Sequence, residues 1–308
     1  MRHQEVVKAT NRVLSEYAVR LTVRQVYYRL ISPPYQLFAN TATNYKSFDK
    51  VITKAREKRE IDWRRIEDRT RSTLGGEKDV FDSPEEYVEW LFNLSEGYYD
   101  KSRWDGQPNY VEVWVEKDAL SALFGSAVKP YRAVVFPSRG YSSLTKVMEA
   151  LERFPKQRSI TILHFSDHDP SGLDMSRDIG SRLNDYSRGY QNGGLVVKRI
   201  ALDIGQVRAL NLPSNPTKKA DSRAKDYVAR YGDECWELDA IPPDTLSRWV
   251  REAVEEEVDM TAWKTAEEKT REERNTIRQA LEDCEQDIEN VREKVKEALV
   301  HGRDGENS

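Results

Sequence analysis

The sequence predicts an α/β plus α fold: a helical N-terminal module, a central parallel α/β domain and a long C-terminal helix. Three observations predict it. Residues 1–75 hold amphipathic helical patterns and a dense basic segment. Residues 109–205 alternate short β-branched runs with helical patterns. Residues 262–300 carry an apolar stripe at alternating spacings of four and three. A chain of 308 residues has room for about two ordinary domains and a buried core.

Composition narrows the function classes. Charged residues make up 33% and hydrophobic residues 38%. No apolar run approaches the roughly 20 residues of a membrane helix. The N-terminal MRHQEVVKAT has no apolar signal-peptide core. Cys235 and Cys284 lie far apart with no CxxC, which disfavours a disulfide scaffold or cysteine zinc site and suits a reducing cytosol. A cytoplasmic protein, nucleoid-associated or encoded by a mobile element, is expected. The net charge of −4 hides an asymmetry: residues 1–75 carry 16 Lys/Arg against 8 Asp/Glu, and residues 232–308 carry 11 against 23. The basic head suits phosphates; the acidic tail does not.

The elements follow in order. Residues 4–18 place Val6, Val7, Val13, Leu14 and Tyr17 at helical spacing. Thr22 reads as the N-cap of a second helix, VRQVYYRLI, which Ser32-Pro33-Pro34 ends. A third helix, about 44–59, is rich in Lys and Arg. Short helices with a basic third helix suit a winged-helix or helix-turn-helix module over residues 1–75, the alternative being a small bundle with a solvated basic face. Lys46, Lys50, Lys54, Arg56 and Lys58, with DWRRIEDRTR at 62–71, are the DNA-contact candidates, and phosphate contacts position a duplex without reading its sequence. Residues 76–108 form a linker with one helix, opened by a Ser83/Glu86 capping box.

From 109 to 205, four strands (YVEVWVE, RAVVFPS, SITILHFSD, LVVKRIAL) alternate with three helices, the pattern of βαβ units. Residues 206–260 extend this domain, with a second basic patch, TKKADSRAK, at 217–225. Residues 261–308 form an acidic amphipathic helix and tail. Its seam of Ile277, Leu281, Cys284, Ile288, Val291, Val295 and Ala298 suits either packing on its own domain or self-association.

Carboxylates carry the chemistry. Glu116 ends the first strand and Asp167 and Asp169 follow the third. Ligands of parallel sheets bind beyond the strand C-termini. If those two strands are neighbours, three acids meet there, and a divalent cation relieves their repulsion. Oxygen ligands suit Mg²⁺, with Mn²⁺ possible. Asp169 followed by Pro170 also reads simply as a helix N-cap. His168 is expected to point to solvent or to a phosphate.

Glu116 within VEVWVEKDA and Asp167/Asp169 within SDHDPSG resemble the Toprim domain of topoisomerases, bacterial primases and some nucleases. The resemblance implies one or two Mg²⁺ ions engaged with nucleic-acid phosphates. In TVRQVYYRL, Arg24 and Tyr28 share a helix face, while Tyr27 points about 100° away and can pack in the core. A tyrosine attacks a phosphodiester when a cation stabilises its phenolate.

Together these features resemble the DNA-cleaving subunit of DNA topoisomerase VI and the related meiotic enzyme that makes double-strand breaks, over the chain to about residue 250. The resemblance makes Tyr28 the nucleophile, Arg24 its motif arginine and Tyr27 the variable first aromatic. Gln25 stands where the family usually has an acid. SRGYSS at 138–143 resembles the segment after the second Toprim strand and adds Arg139 to the DNA contacts. The short lead before the tyrosine helix resembles stand-alone "mini-A" variants of mobile elements, which implies a homodimer on DNA without a dedicated ATPase partner. Three functions are expected in competition: tyrosine transesterification of DNA, hydrolysis by a Toprim nuclease with water as nucleophile, and non-enzymatic DNA binding.

Overall fold

The structure, a computed structural model, describes residues 3–67, 83, 86–87, 90, 99–104, 106–138, 144–187 and 193–305, with side chains as far as Ala298. Two compact units divide it. Residues 1–72 and 108–258 form one, and residues 73–107 and 259–308 the other.

The first unit begins with three helices, α1 (His3–Glu16), α2 (Val23–Ile31) and α3 (Ala42–Glu57). Val13 and Leu14, Val26 and Leu30, Phe48 and Ile52 meet in one core, which fixes the apolar face of each helix. Thr22 caps α2 by accepting the Gln25 N–H at 3.0 Å, and Gln25 returns the bond to the Thr22 N–H at 3.0 Å. This reciprocal box gives Gln25 a local structural role at the start of α2. The chain then returns to pair beside Leu21, whose N–H donates to Arg65 at 3.1 Å and whose carbonyl accepts from Glu67 at 2.9 Å. Within this module the described residues contain no strand beyond that bridge, so its wing is not established.

A four-stranded sheet follows, of β1 (Asn109–Val115), β2 (Val134–Pro137), β3 (Ser159–Phe165) and β4 (Leu195–Ala201), all parallel in the order β2-β1-β3-β4. Both faces of β1 are buried. Trp114 meets Val147, Leu151, Met175 and Ile179 of α5 (Leu144–Arg153) and α6 (Pro170–Tyr186). On the other side lie α4 (Ser121–Val128), whose Phe124 packs edge-on against Phe165, and a later helix, Pro243–Glu255. Burial on both faces explains why the strands read as nearly continuous apolar runs. Glu112 on β1 is also buried, held by Arg153 at 2.7 and 2.8 Å. The chain leaves β1 for β2 on one side and returns to β3 on the other. The switch point of the sheet therefore falls between β1 and β3, at their C-terminal ends.

After β4 come α7 (Ile204–Leu210), α8 (Ala224–Tyr231) and α9 (Pro243–Glu255), with a two-residue ribbon of β5 (Asn215–Pro216) and β6 (Glu234–Cys235).

In the second unit, the long helix expected over 262–300 is two helices, α10 (Met260–Asp283) and α11 (Glu285–Gly305). Cys284 interrupts them at φ −101°, ψ 11°, its N–H shared among the carbonyls of Ala280, Leu281 and Glu282. Trp104 packs edge-on against Trp263, and Arg103 donates to the Thr270 hydroxyl at 2.6 Å. Ser83 caps Glu86 at 3.1 Å, as its sequence pattern suggests. Of the heptad seam, Ile277, Leu281, Ile288 and Val295 are half-buried, whereas Cys284, Val291 and Ala298 are exposed. Among the described residues no helix is long and apolar enough to cross a membrane.

Candidate active site

β1 and β3 are neighbours, and their pairing runs on past both strands: the Glu116 N–H donates to Phe165 at 2.9 Å. The Glu116 carboxylate then accepts the Asp167 N–H at 3.0 Å. The two acids thus meet at the switch point. Asp169 lies two residues on. Its Oδ1 accepts the Gly172 N–H at 2.6 Å, with Pro170 in the first turn of α6, so its helix-capping role is real. Asp169 also lines the cleft onto which Glu116 and Asp167 open.

The loop between β3 and α6 is built by close approach. A Cβ on Gly172 would lie 2.2 Å from the Asp167 carbonyl oxygen, which only glycine avoids. Arg199, from β4, fixes the loop from beneath by donating to the carbonyls of Asp167 (2.8 Å), Gly172 (2.8 Å) and Leu202 (3.0 Å). His168 pairs as a backbone bridge with Trp236, at 2.8 and 3.0 Å. That bridge carries residues 237–239 to the acids, where the Leu238 N–H donates to Asp167 Oδ1 at 2.8 Å.

Lys117 sits inside the cluster. Its Nζ lies 3.0 Å from Asp167, 2.9 Å from Glu237 and 2.7 Å from Asp239. Burial opposes its charge, but the surrounding carboxylates hold its pKa well above the usual lysine value. Burial pushes Asp167 up to about 7, against the downward pull of Lys117. Glu116 is raised by burial as well, with the nearby Asp169 adding to the shift. Glu237 is half-buried, which raises its carboxyl, yet Lys117 and Arg24 keep it below the ordinary range.

The facing wall of the cleft is the helical module. Arg24 forms a two-bond ion pair with Glu237, and Thr22 donates to Asp239 at 3.2 Å. Arg29 donates to the Ala240 carbonyl. Tyr28 accepts from the Asn215 amide at 2.7 Å and is 1% exposed. Its phenol is pushed up to about 12, chiefly by burial. Tyr27 is buried among Phe38, Tyr45 and Phe48, as expected of a core residue.

The cleft has a volume of about 1140 Å³. Among the described residues nine Asp or Glu and four Lys or Arg line it, leaving five negative charges in surplus. Tyr45, Asp49 and Arg56 of α3 face it. At about 100° per residue, Lys46, Lys50 and Lys54 form the adjoining stripe of that helix, and all three are exposed, as is Lys58.

Two expectations are corrected. His168 does not point to solvent: it is 1% exposed, hydrogen-bonded to the Tyr227 hydroxyl at 2.8 Å and packed against Tyr231 and Trp236. Its backbone bridge to Trp236 turns the ring inward. Within 62–71, Arg65 is no free phosphate contact, since it closes the end of α1 by donating to the carbonyls of Leu14 and Tyr17. Arg139 and residues 68–71 lie outside the described residues. Sequence reasoning passed over Lys117, Arg199, Asn215, Glu237 and Asp239. Only Glu237 and Asp239 carried a usable signal, a second acid-x-acid spacing in ELDA.

The donor set fits a hard divalent ion. Glu116 and Asp169 each engage one carboxylate oxygen in a backbone bond and line an acid-rich cleft, and no imidazole lines it among the described residues. Cys235, which does, is a thiol pushed up to about 11 by burial in the metal-free protein. As they stand, no three acidic, histidine or cysteine side chains among the described residues are gathered closely enough to ligate a metal. No family model and no curated protein matches the chain. The Toprim and topoisomerase VI resemblance therefore rests on the motif residues alone.

Proposed function

We propose that this protein cleaves DNA in a divalent-cation-dependent reaction, with Tyr28 as nucleophile. One observation carries the reading: Glu116 and Asp167 meet at the β1/β3 switch point, in a cleft that Arg24 also lines, with the buried Tyr28 one helical turn further along α2. A cleft with five surplus negative charges repels a polyanion, and bound cations convert it into a phosphate site. The exposed lysines of α3, about 100° round the helix from the residues that line the cleft, would supply the capture surface.

Mg²⁺ or Mn²⁺ held by Glu116 and Asp167, with Asp169 as a further ligand, would supply Lewis-acid stabilisation of the departing oxygen. Tyr28 Oη would attack phosphorus. The Oη–P bond forms, the P–O3′ bond breaks, and the phenolic proton passes in net to the 3′ oxygen. Arg24 would balance the charge developing on the phosphate once it releases Glu237. The proposed assembly is a homodimer on DNA.

Hydrolysis by water is the second reading, and a specific observation favours it: Tyr28 is buried and protonated, and Arg24 is engaged by Glu237. Incubation of supercoiled plasmid with Mg²⁺ or Mn²⁺ tests the shared claim. Nicked or linear product that Glu116→Gln and Asp167→Asn each reduce at least about a hundredfold is expected. Equal cleavage by the variants, or none by the wild type, would overturn it and leave DNA binding as the function.

A further inference from the structure

Lys117 follows Glu116 directly, but its side chain serves other acids. Its three carboxylate partners come from two separate segments: Asp167 from the loop after β3, and Glu237 and Asp239 from the stretch that follows the His168–Trp236 bridge. All three contacts fall between 2.7 and 3.0 Å, and each of those carboxylates is largely buried. An ammonium in that position does the electrostatic work of a bound cation.

Its position also conflicts with an ion. Asp167 is engaged on both oxygens, Oδ1 by the Leu238 N–H and Oδ2 by Lys117. A divalent ion ligated by Asp167 would stand within a few ångströms of the ammonium, and like charges at that range repel strongly in a buried setting. Glu237 and Asp239 offer the ammonium an alternative seat that does not involve Asp167.

We propose that Lys117 is a resident counter-cation of this site: it neutralises Asp167 when no metal is bound, and a divalent ion must displace it from Asp167 in order to bind. It is thus a positioning residue that sets the affinity of the site for metal. This rests on the metal-dependent reading above.

Mn²⁺ binding to the full-length protein, followed by electron paramagnetic resonance, tests it without reference to cleavage. Lys117→Met is expected to bind Mn²⁺ at least about tenfold more tightly than the wild type. Lys117→Arg, which keeps the charge, is expected to stay within about threefold of the wild type. The metal-free Lys117→Met protein should melt at lower temperature and recover with Mn²⁺. If the loss of the ammonium among these acids prevents that variant from folding, Lys117→Met combined with Asp239→Asn removes one negative charge with the lysine and is expected to show the same tightening.

Wild-type binding that Asp167→Asn abolishes, together with unchanged or weaker binding by the methionine variants, overturns the role of Lys117 alone. Binding by the methionine variants and not by the wild type supports it. Absence of binding in every form overturns both this inference and the metal reading on which it rests.

Discussion

The Glu116 carboxylate accepts the backbone N–H of Asp167 at 3.0 Å, so one acid's side chain is tied to the other's main chain just beyond the ends of β1 and β3. The backbone bond that extends the β1/β3 pairing, from the Glu116 N–H to the Phe165 carbonyl at 2.9 Å, brings that carboxylate within reach. The bond to Asp167 fixes one oxygen of Glu116 and leaves the rest of the carboxylate on the cleft.

The raised pKa of Asp167 makes a prediction about pH. In the unfolded chain this carboxyl titrates near about 3.9, and in the folded chain at about 7. Between about pH 4 and 7 the folded protein holds a proton that the unfolded chain has released, so stability contributed here falls as pH rises across that window. Each unit of separation corresponds to roughly 1.4 kcal/mol. Denaturant titrations of the metal-free protein from about pH 5 to 8 should show the decline, and Asp167→Asn should flatten it. A wild-type stability that rises relative to Asp167→Asn over this range would contradict the assignment.

The lysine stripe predicts a change in salt dependence. Replacing Lys46, Lys50 and Lys54 together by alanine should weaken binding to duplexes of any sequence. It should also reduce the slope of log affinity against log salt by about 0.9 for each phosphate that is no longer neutralised. All three side chains are exposed, so folding should be unaffected. An unchanged slope would place the DNA elsewhere.

Two glycines predict opposite effects. Gly172→Ala forces a Cβ to 2.2 Å from the Asp167 carbonyl, a backbone atom pinned by Arg199, and should cost roughly 1–3 kcal/mol. Gly125→Ala, in α4 with open space around it, should stabilise by about 0.5–1 kcal/mol. Urea unfolding of both variants checks the pair. A neutral Gly172→Ala would mean that the β3–α6 loop is not held as described.

Much of the scaffold was legible in the sequence because its signals are local. Thr22 and Ser32-Pro33-Pro34 bracket α2 at the residues observed, and Asp169-Pro170 opens α6. The alternation of strands and helices gives a parallel sheet, and the adjacency of β1 and β3 brings Glu116 to Asp167. What escaped depends on distant partners. Burial of Tyr28 involves Asn215, 187 positions away, and that of His168 involves Tyr227, Tyr231 and Trp236. Lys117 carries no local signal in the sequence. Its role appears only when Glu237 and Asp239 arrive beside it. The break at Cys284 leaves the heptad pattern intact and so is invisible to periodicity.

The chemical state of the cut DNA end decides between tyrosine and water. The protein is incubated with plasmid and Mg²⁺ or Mn²⁺, denatured, and the DNA examined with and without protease. Attack by Tyr28 predicts DNA ends carrying covalently bound protein, released only by protease, and their loss in Tyr28→Phe. Protein-free ends made equally well by Tyr28→Phe would contradict it and assign the attack to water.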